Sequence, residues 1–330
     1  MGFVGDVGET PTSVEINQMG ADRLKLSIKS GLAPIRLYSD LAYGRNHESI
    51  CDDDLCELLR LLSTKYGGLK VAVKILHMRI RGFSTEKTFS NRIISLGRKL
   101  LLKYEFPQKF NERDNMDYEF GKIINVCFIG ESAKGCARII CKNIIEAYAA
   151  NNIYSTNYKE VIKALAINQP KVFLDVFLEE DARNDYLLEP MFSWNLIRQV
   201  NPMGYINDNL IISWCEVNPE TRYPIVSSTI IAHQKSEKKN RMEWTPLALR
   251  IINNSRNPIS VLNKFKTSFM RESKAEIMQS CLCLILDLKE DENSLIAEWA
   301  FKTEKVFEKE ILYTLEWQLK IKSKRNEFFE

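Results

Sequence analysis

The stretch "SWCEVNPETRYP", residues 213–224, brings an indole, a thiol, two carboxylates, a guanidinium and a phenol close together in sequence. Trp214, Cys215, Glu216, Glu220, Arg222 and Tyr223 are the residue types that line the lip of an active site. Carboxylates and phenols exchange protons, and a guanidinium holds an anion. The same stretch holds Pro219 and Pro224, which offers a second reading as a corner between two helices.

The other chemistry-bearing clusters each lack a part. "GESAKGC", 130–136, has the two-glycine spacing of a phosphate-binding loop. Cys136 and Ala137 stand where that loop needs a lysine for the phosphates and a Ser or Thr for magnesium, so the stretch is expected to be a helix–helix turn closed by Gly130. "LEEDAR" and "KEDE" hold carboxylates but read as surface turns, whereas glycoside hydrolysis needs two carboxylates fixed across a cleft. Neither a Gly-x-Ser-x-Gly elbow nor an HExxH pair occurs. "HQKSEKKNR", 233–241, is basic but carries no interleaved aromatics, so it reads as a solvated connector rather than a nucleic-acid contact. Most of the eight cysteines lie in apolar runs, where a thiol acts as a small hydrophobe; Cys51 and Cys56 have a metal-like spacing but no following Cys/His pair. His47, His77 and His233 are far apart. The sequence therefore points to no catalytic, metal-binding or cofactor-binding residues.

The corner recurs. "EVIKALAINQPKVFLDVFL" has Pro170 between two apolar helical patterns, "LIISWCEVNPETRYPIVSSTI" has Pro219 there, and "LALRIINNSRNPISVLNKF" has Pro258. Asn168, Asn218 and Asn257 precede these prolines by one or two positions. Asparagine accepts the conformations that close a helix, the residue before proline is steered out of the helical region, and proline begins the next helix without loss. The spacings of the prolines bracket the period of about 40–47 residues found in HEAT and armadillo arrays. Trp214, Glu216, Arg222, Tyr223 and Trp244 are then corner or interface residues. Arg222 is predicted to make a charge-assisted hydrogen bond across the corner, to Glu216, Asp208 or an acidic group of another molecule, and Tyr223 to pack into the hairpin. The five tryptophans all lie in the C-terminal half and are expected between successive hairpins, an exposed one being a candidate interface anchor.

The elements that position these residues read as helices. Residues 1–49 are expected to form an irregular segment, with "SVEINQ" and "RLKLSIKS" extended. From residue 50 to 330 a helical-repeat array is expected, most regular over 157–330, ending in a long charged helix over 291–325. "DDDLCELLRLLSTKYGG" opens on acids and closes on Lys65 and two glycines, in keeping with the helix dipole and a C-cap. "STEKTFSNRIISLGRKLLLKY" is expected to be capped by Ser84 or Thr85. The predicted class is all-α, an irregular α-solenoid of HEAT-like antiparallel hairpins; scarce glycine and proline disfavour loop-rich β folds. A formal charge of +3 gives no argument for nucleic acid or a membrane surface. No run is long and apolar enough for a membrane span, "MGFVGDVGET" lacks the features of a signal peptide, and Asp6 stands where myristoylation needs Ser or Thr, so a cytoplasmic location is expected.

Residues 199–330 resemble the C-terminal helical region of large bacterial proteins, many of them predicted NTPases of the STAND type linked to anti-phage defence. "NPMGYINDNLIISWCEVNPETRYP", "EWTPLALRIINNS", "VLNKFKTSFM", "RESKAEIMQSCLCLILDL" and "KRNEFFE" carry the resemblance, and "GGLKVAVKILHMR" and "MDYEFGKIINVCF" extend it upstream. It implies a helical-repeat sensor or scaffold arm that recognises a protein trigger, with the nucleotide motifs and effector on other parts. The leading reading is a non-catalytic recognition module with a protein partner. A structural or autoinhibitory arm contacting its own protein comes second, and an enzyme gathering Glu216, Arg222 and His77 in a pocket comes third.

Overall fold

A computed structural model of the chain describes residues 22–23, 26, 51–82, 88–105, 116–150, 157–179, 192, 201–236, 241–270 and 274–327. These residues are predominantly helical, in keeping with the all-α class. They fall into two compact units, Met1–Val176 and Phe177–Glu330. Among the described residues no helix is long and apolar enough to cross a membrane. Within the first 49 positions only Asp22, Arg23 and Leu26 are described, and they are helical where an extended stretch is expected for Arg23 and Leu26.

The first unit contains α1 (Asp52–Leu62), α2 (Gly68–Gly82), α3 (Asn91–Leu102), α4 (Asp117–Cys127), α5 (Lys134–Ala149), α6 (Lys159–Asn168) and α7 (Pro170–Leu174), the last running into a π-helical turn, Asp175–Glu179. Asp52, Asp53 and Asp54 fill the first turn of α1, where the dipole favours negative charge. That helix is closed by Ser63, and the two glycines fall at the entry to α2 instead of forming the expected C-cap. Ser90, whose hydroxyl accepts from the Ile93 amide, caps α3. Ser84 and Thr85, the expected caps, lie outside the described residues.

The centre of this unit is α4, which packs on α2, α3 and α6. Gly121 makes the α4–α6 approach possible: a Cβ there would sit 2.8 Å from the Glu160 Cβ and 2.9 Å from its backbone. The start of α6 has no local side-chain cap, since Tyr158 precedes it in the left-handed conformation (φ 58°). Asp117 supplies the cap from α4, accepting the Val161 amide at 3.0 Å and the Glu160 amide at 3.1 Å.

The second unit contains a 3₁₀ turn at Pro202–Tyr205, α8 (Asp208–Val217), α9 (Pro219–Ser227), β1 (His233–Lys235), β2 (Met242–Trp244), α10 (Pro246–Asn254), α11 (Pro258–Met270), α12 (Ala275–Asp287) and α13 (Ser294–Glu327). Pro170, Pro219 and Pro258 each begin a helix, as the sequence predicts, and α7, α9 and α11 pack on the helices before them. The antiparallel hairpin of β1 and β2, His233 opposite Trp244, is a correction: the expected connector "HQKSEKKNR" begins as a strand. The predicted terminal helix is present and runs for 34 residues. Ile296, Trp299, Ala300, Thr303, Phe307 and Ile311 form its buried stripe, at helical spacing, and it packs on α11 and α12.

Candidate functional site

The corner is built from the ends of two helices. Asn207 caps α8 by accepting the Asn209 amide, and Asn218 both closes α8 and precedes Pro219 of α9. Its φ and ψ are −145° and 74°, outside the helical region as the following proline requires. Four apolar or amphipathic side chains then turn inward, Trp214 and Cys215 from α8 and Arg222 and Tyr223 from α9, all buried.

Arg222 Nη1 donates to the Trp214 carbonyl at 2.6 Å, and its guanidinium lies 4.2 Å from the centre of the Trp214 ring. The expectation of a charge-assisted bond across the corner is met here by a main-chain carbonyl. That carbonyl lies near the C-terminal end of α8, where positive charge is favoured. The Glu216 carboxylate is taken by Tyr223, whose hydroxyl donates to Glu216 Oε1. Tyr223 is fully buried, as expected of a packing residue. Burial first, and then the bond to Glu216, push its phenol above the ordinary range. Burial also pushes the Cys215 thiol up to about 12, against the pull of Arg222. A phenol and a thiol held protonated donate hydrogen bonds but make poor bases or nucleophiles near neutral pH. Glu216 alone of Trp214, Glu216, Arg222 and Tyr223 is exposed.

Trp244 belongs to a different cluster. Its indole donates to the Leu284 carbonyl of α12 at 3.1 Å and lies against Phe265 and Phe269 of α11. It fastens the hairpin to two helices. Across the hairpin, His233 is buried, its Nε2 3.8 Å from Cys281 Sγ and its ring edge-on to Phe269, while Nδ1 has no hydrogen-bond partner. Burial lowers its pKa below the ordinary histidine value. His77 of α2 is likewise buried, edge-on to Tyr118, with Nε2 unpartnered and its pKa lowered, chiefly by burial. Apart from the third-ranked pocket reading that includes His77, the sequence assigns neither histidine a role. The only signal is the apolar setting of each, "VAVKILHMRI" and "STIIAHQK".

The loop-like "GESAKGC" is a helix–helix turn. Gly130 takes φ 78°, and a 3₁₀ turn, Glu131–Ala133, leads into α5. The carbonyls around it are engaged by donors: Arg98 Nε binds that of Cys127 at 2.5 Å, and Gln169 Nε2 binds those of Phe128 and Gly130 at 2.7 and 2.9 Å. A phosphate cradle needs converging N–H groups instead. Lys134 is paired with Glu131 at 2.6 Å. At the other sequence-flagged pair, burial together with Asp52 and Asp53 pushes the Cys56 thiol up to about 11, which opposes the thiolate form a metal requires. Of the remaining tryptophans, Trp299 is buried and bonded to Asn263, Trp317 is exposed, and Trp194 lies outside the described residues.

Comparison with protein-family models, with curated protein sequences and with solved structures yields no match.

Proposed function

We propose that the chain is a non-catalytic recognition module, an irregular α-solenoid of antiparallel helical hairpins that binds a protein. The observation that carries this reading is the repeated corner. Gln169 before Pro170 has φ and ψ of −138° and 52°, and Asn218 before Pro219 has −145° and 74°, so two different residues adopt nearly one backbone turn. Each turn joins a pair of packed helices, the unit from which solenoids are stacked. The polar groups of the second corner are spent inward, on Trp214 and Glu216, and its rim faces solvent with Glu216, Val217, Asn218, Glu220 and Thr221. Val217 is 74% exposed at this rim. An apolar side chain flanked by two acids suits a protein partner with a basic and apolar surface. The sequence resemblance of residues 199–330 supports a place for the module in an anti-phage system of the STAND type, where the partner is a trigger protein.

The test is crosslinking in phage-challenged and unchallenged cells, comparing the parent with a Val217→Asp, Glu220→Lys double variant. Both positions are at the surface, so the melting temperature should be unchanged and the crosslinked partner lost. Identical crosslinks from both proteins overturn the assignment of the rim. Crosslinks confined to the chain's own assembly favour the scaffold-arm reading instead.

A further inference from the structure

The last described stretch of α13 is unlike the rest of that helix. Through Ile311 it buries one stripe against α11 and α12, but from Leu312 to Ser323 no residue is buried. This part nevertheless contains Leu312, Tyr313, Leu315, Trp317, Leu319 and Ile321, all exposed. A helix with apolar residues over most of its circumference is ordinarily covered on more than one side.

At about 100° per residue, Glu308, Leu312, Leu315, Leu319 and Lys322 share an arc of about 80°. Leu312, Leu315 and Leu319 are 62%, 40% and 66% exposed, and Glu308 and Lys322 are exposed as well. Their order is self-complementary. Glu308 lies seven residues before Leu315 and Lys322 seven residues after it, with Leu312 and Leu319 disposed on either side. An antiparallel copy of the same helix, crossed at Leu315, sets leucine on leucine in the middle and places acid opposite base at both ends. A two-fold contact requires this property, because every residue must suit the residue that its own partner presents.

We propose that the flank Glu308–Leu312–Leu315–Leu319–Lys322 of α13 is a self-association surface whose occupant is the same flank of a second copy, antiparallel and related by a two-fold axis. The pairing leaves Tyr313, Trp317 and Ile321 on the opposite side of the helix. It is independent of the corner rim proposed above, which lies on α8 and α9.

Sedimentation equilibrium of the full chain tests it. The expected result is a reversible monomer–dimer equilibrium, weakened by salt because the charged ends are exposed. Leu315→Glu should weaken the dimer at least tenfold. Glu308→Lys and Lys322→Glu should each do the same, since each sets like charges together. Mixing these two single variants should restore a dimer, now a heterodimer, and so should combining both changes in one chain. Circular dichroism and melting temperature should match the parent throughout, because all these side chains are at the surface. A parent that stays monomeric, an open-ended assembly, a charge swap that fails to restore pairing, or a dimer broken by Trp317→Glu but not by Leu315→Glu would each overturn the proposal.

Discussion

At the Gln169–Pro170 corner, the residue before proline reaches out of its own hairpin to the carbonyls of Phe128 and Gly130, just beyond the end of α4. At the Asn218–Pro219 corner, the donor is Arg222, one turn into the second helix, and it reaches back to Trp214 of the helix just completed. In both cases a donor meets carbonyls at or near the C-terminal end of a helix, where partners within the helix run out and the dipole welcomes positive charge. The first corner is completed only when α4 is in place. The second has its donor within its own hairpin, although α9 also packs on α11. The third uses neither device: Asn257 is a plain N-cap, its side chain accepting the Ser260 amide. One backbone turn is therefore compatible with a long-range or a local anchor, and the anchor determines what the corner depends on.

Truncation of the buried ring beside Arg222 should give the largest effect. Tyr223→Ala removes a fully buried ring and should cost about 3–5 kcal/mol in urea unfolding of the second unit. A neutral result would mean that the corner is not held by this packing, and would break the comparison at its second term. In the first unit, Gly121→Ala forces a methyl into the Glu160 backbone and should cost about 1–3 kcal/mol, read in the same assay.

The two donors can be set against each other directly. Gln169→Ala and Arg222→Ala should each cost about 1–3 kcal/mol, since each leaves acceptors without their donor. The variants should differ in reach. Loss of Gln169 should raise amide exchange after α4 as well as around α7, whereas loss of Arg222 should raise it only in α8 and α9. Equal spread from both would erase the distinction. Asn218→Gln, which keeps an amide before Pro219 at an exposed position, should stay within about 0.5 kcal/mol of the parent.

The units can also be separated by pH. His77 in the first and His233 in the second have folded pKa values below the ordinary value near 6.5, so the unfolded chain binds more protons once the pH falls toward and below that value. Stability should be complete above about pH 7 and decline on acidification, by at most about 1.4 kcal/mol per pH unit for each histidine. His233→Leu should flatten that decline for the second unit and leave the first unchanged, measured by denaturation between pH 7.5 and 4.5.

The helical class and the starts at Pro170, Pro219 and Pro258 were legible because proline and asparagine act on their own neighbourhood. The cap of α3 was missed: the expectation of Ser84 or Thr85 passes over Ser90, a serine nearer the same apolar run. The strands at His233–Lys235 and Met242–Trp244 are too short to show an alternation. Their hairpin is stabilised by Trp244 inserting between α11 and α12, a contact that no local pattern encodes. Arg222 and Tyr223 were identifiable by type, and the burial of Tyr223 followed from its place beside Pro224. The acceptor of Arg222 was not legible, because every residue carries a carbonyl and none is marked in the sequence as the one left over.

The cap that Asp117 places on α6 has a kinetic side. The amides of Glu160 and Val161 are held by a carboxylate more than forty positions earlier in the chain, and Tyr158 before them sits in a conformation that costs energy for a residue with a side chain. A growing chain emerges Asp117 first, so the acceptor waits for the helix it will start. A peptide of residues 157–170 alone would begin its helix late and fray at that end. In the intact protein, the protection of those two amides reports the docking of α4 against α6, and it should appear during refolding together with that docking rather than with the first helical signal.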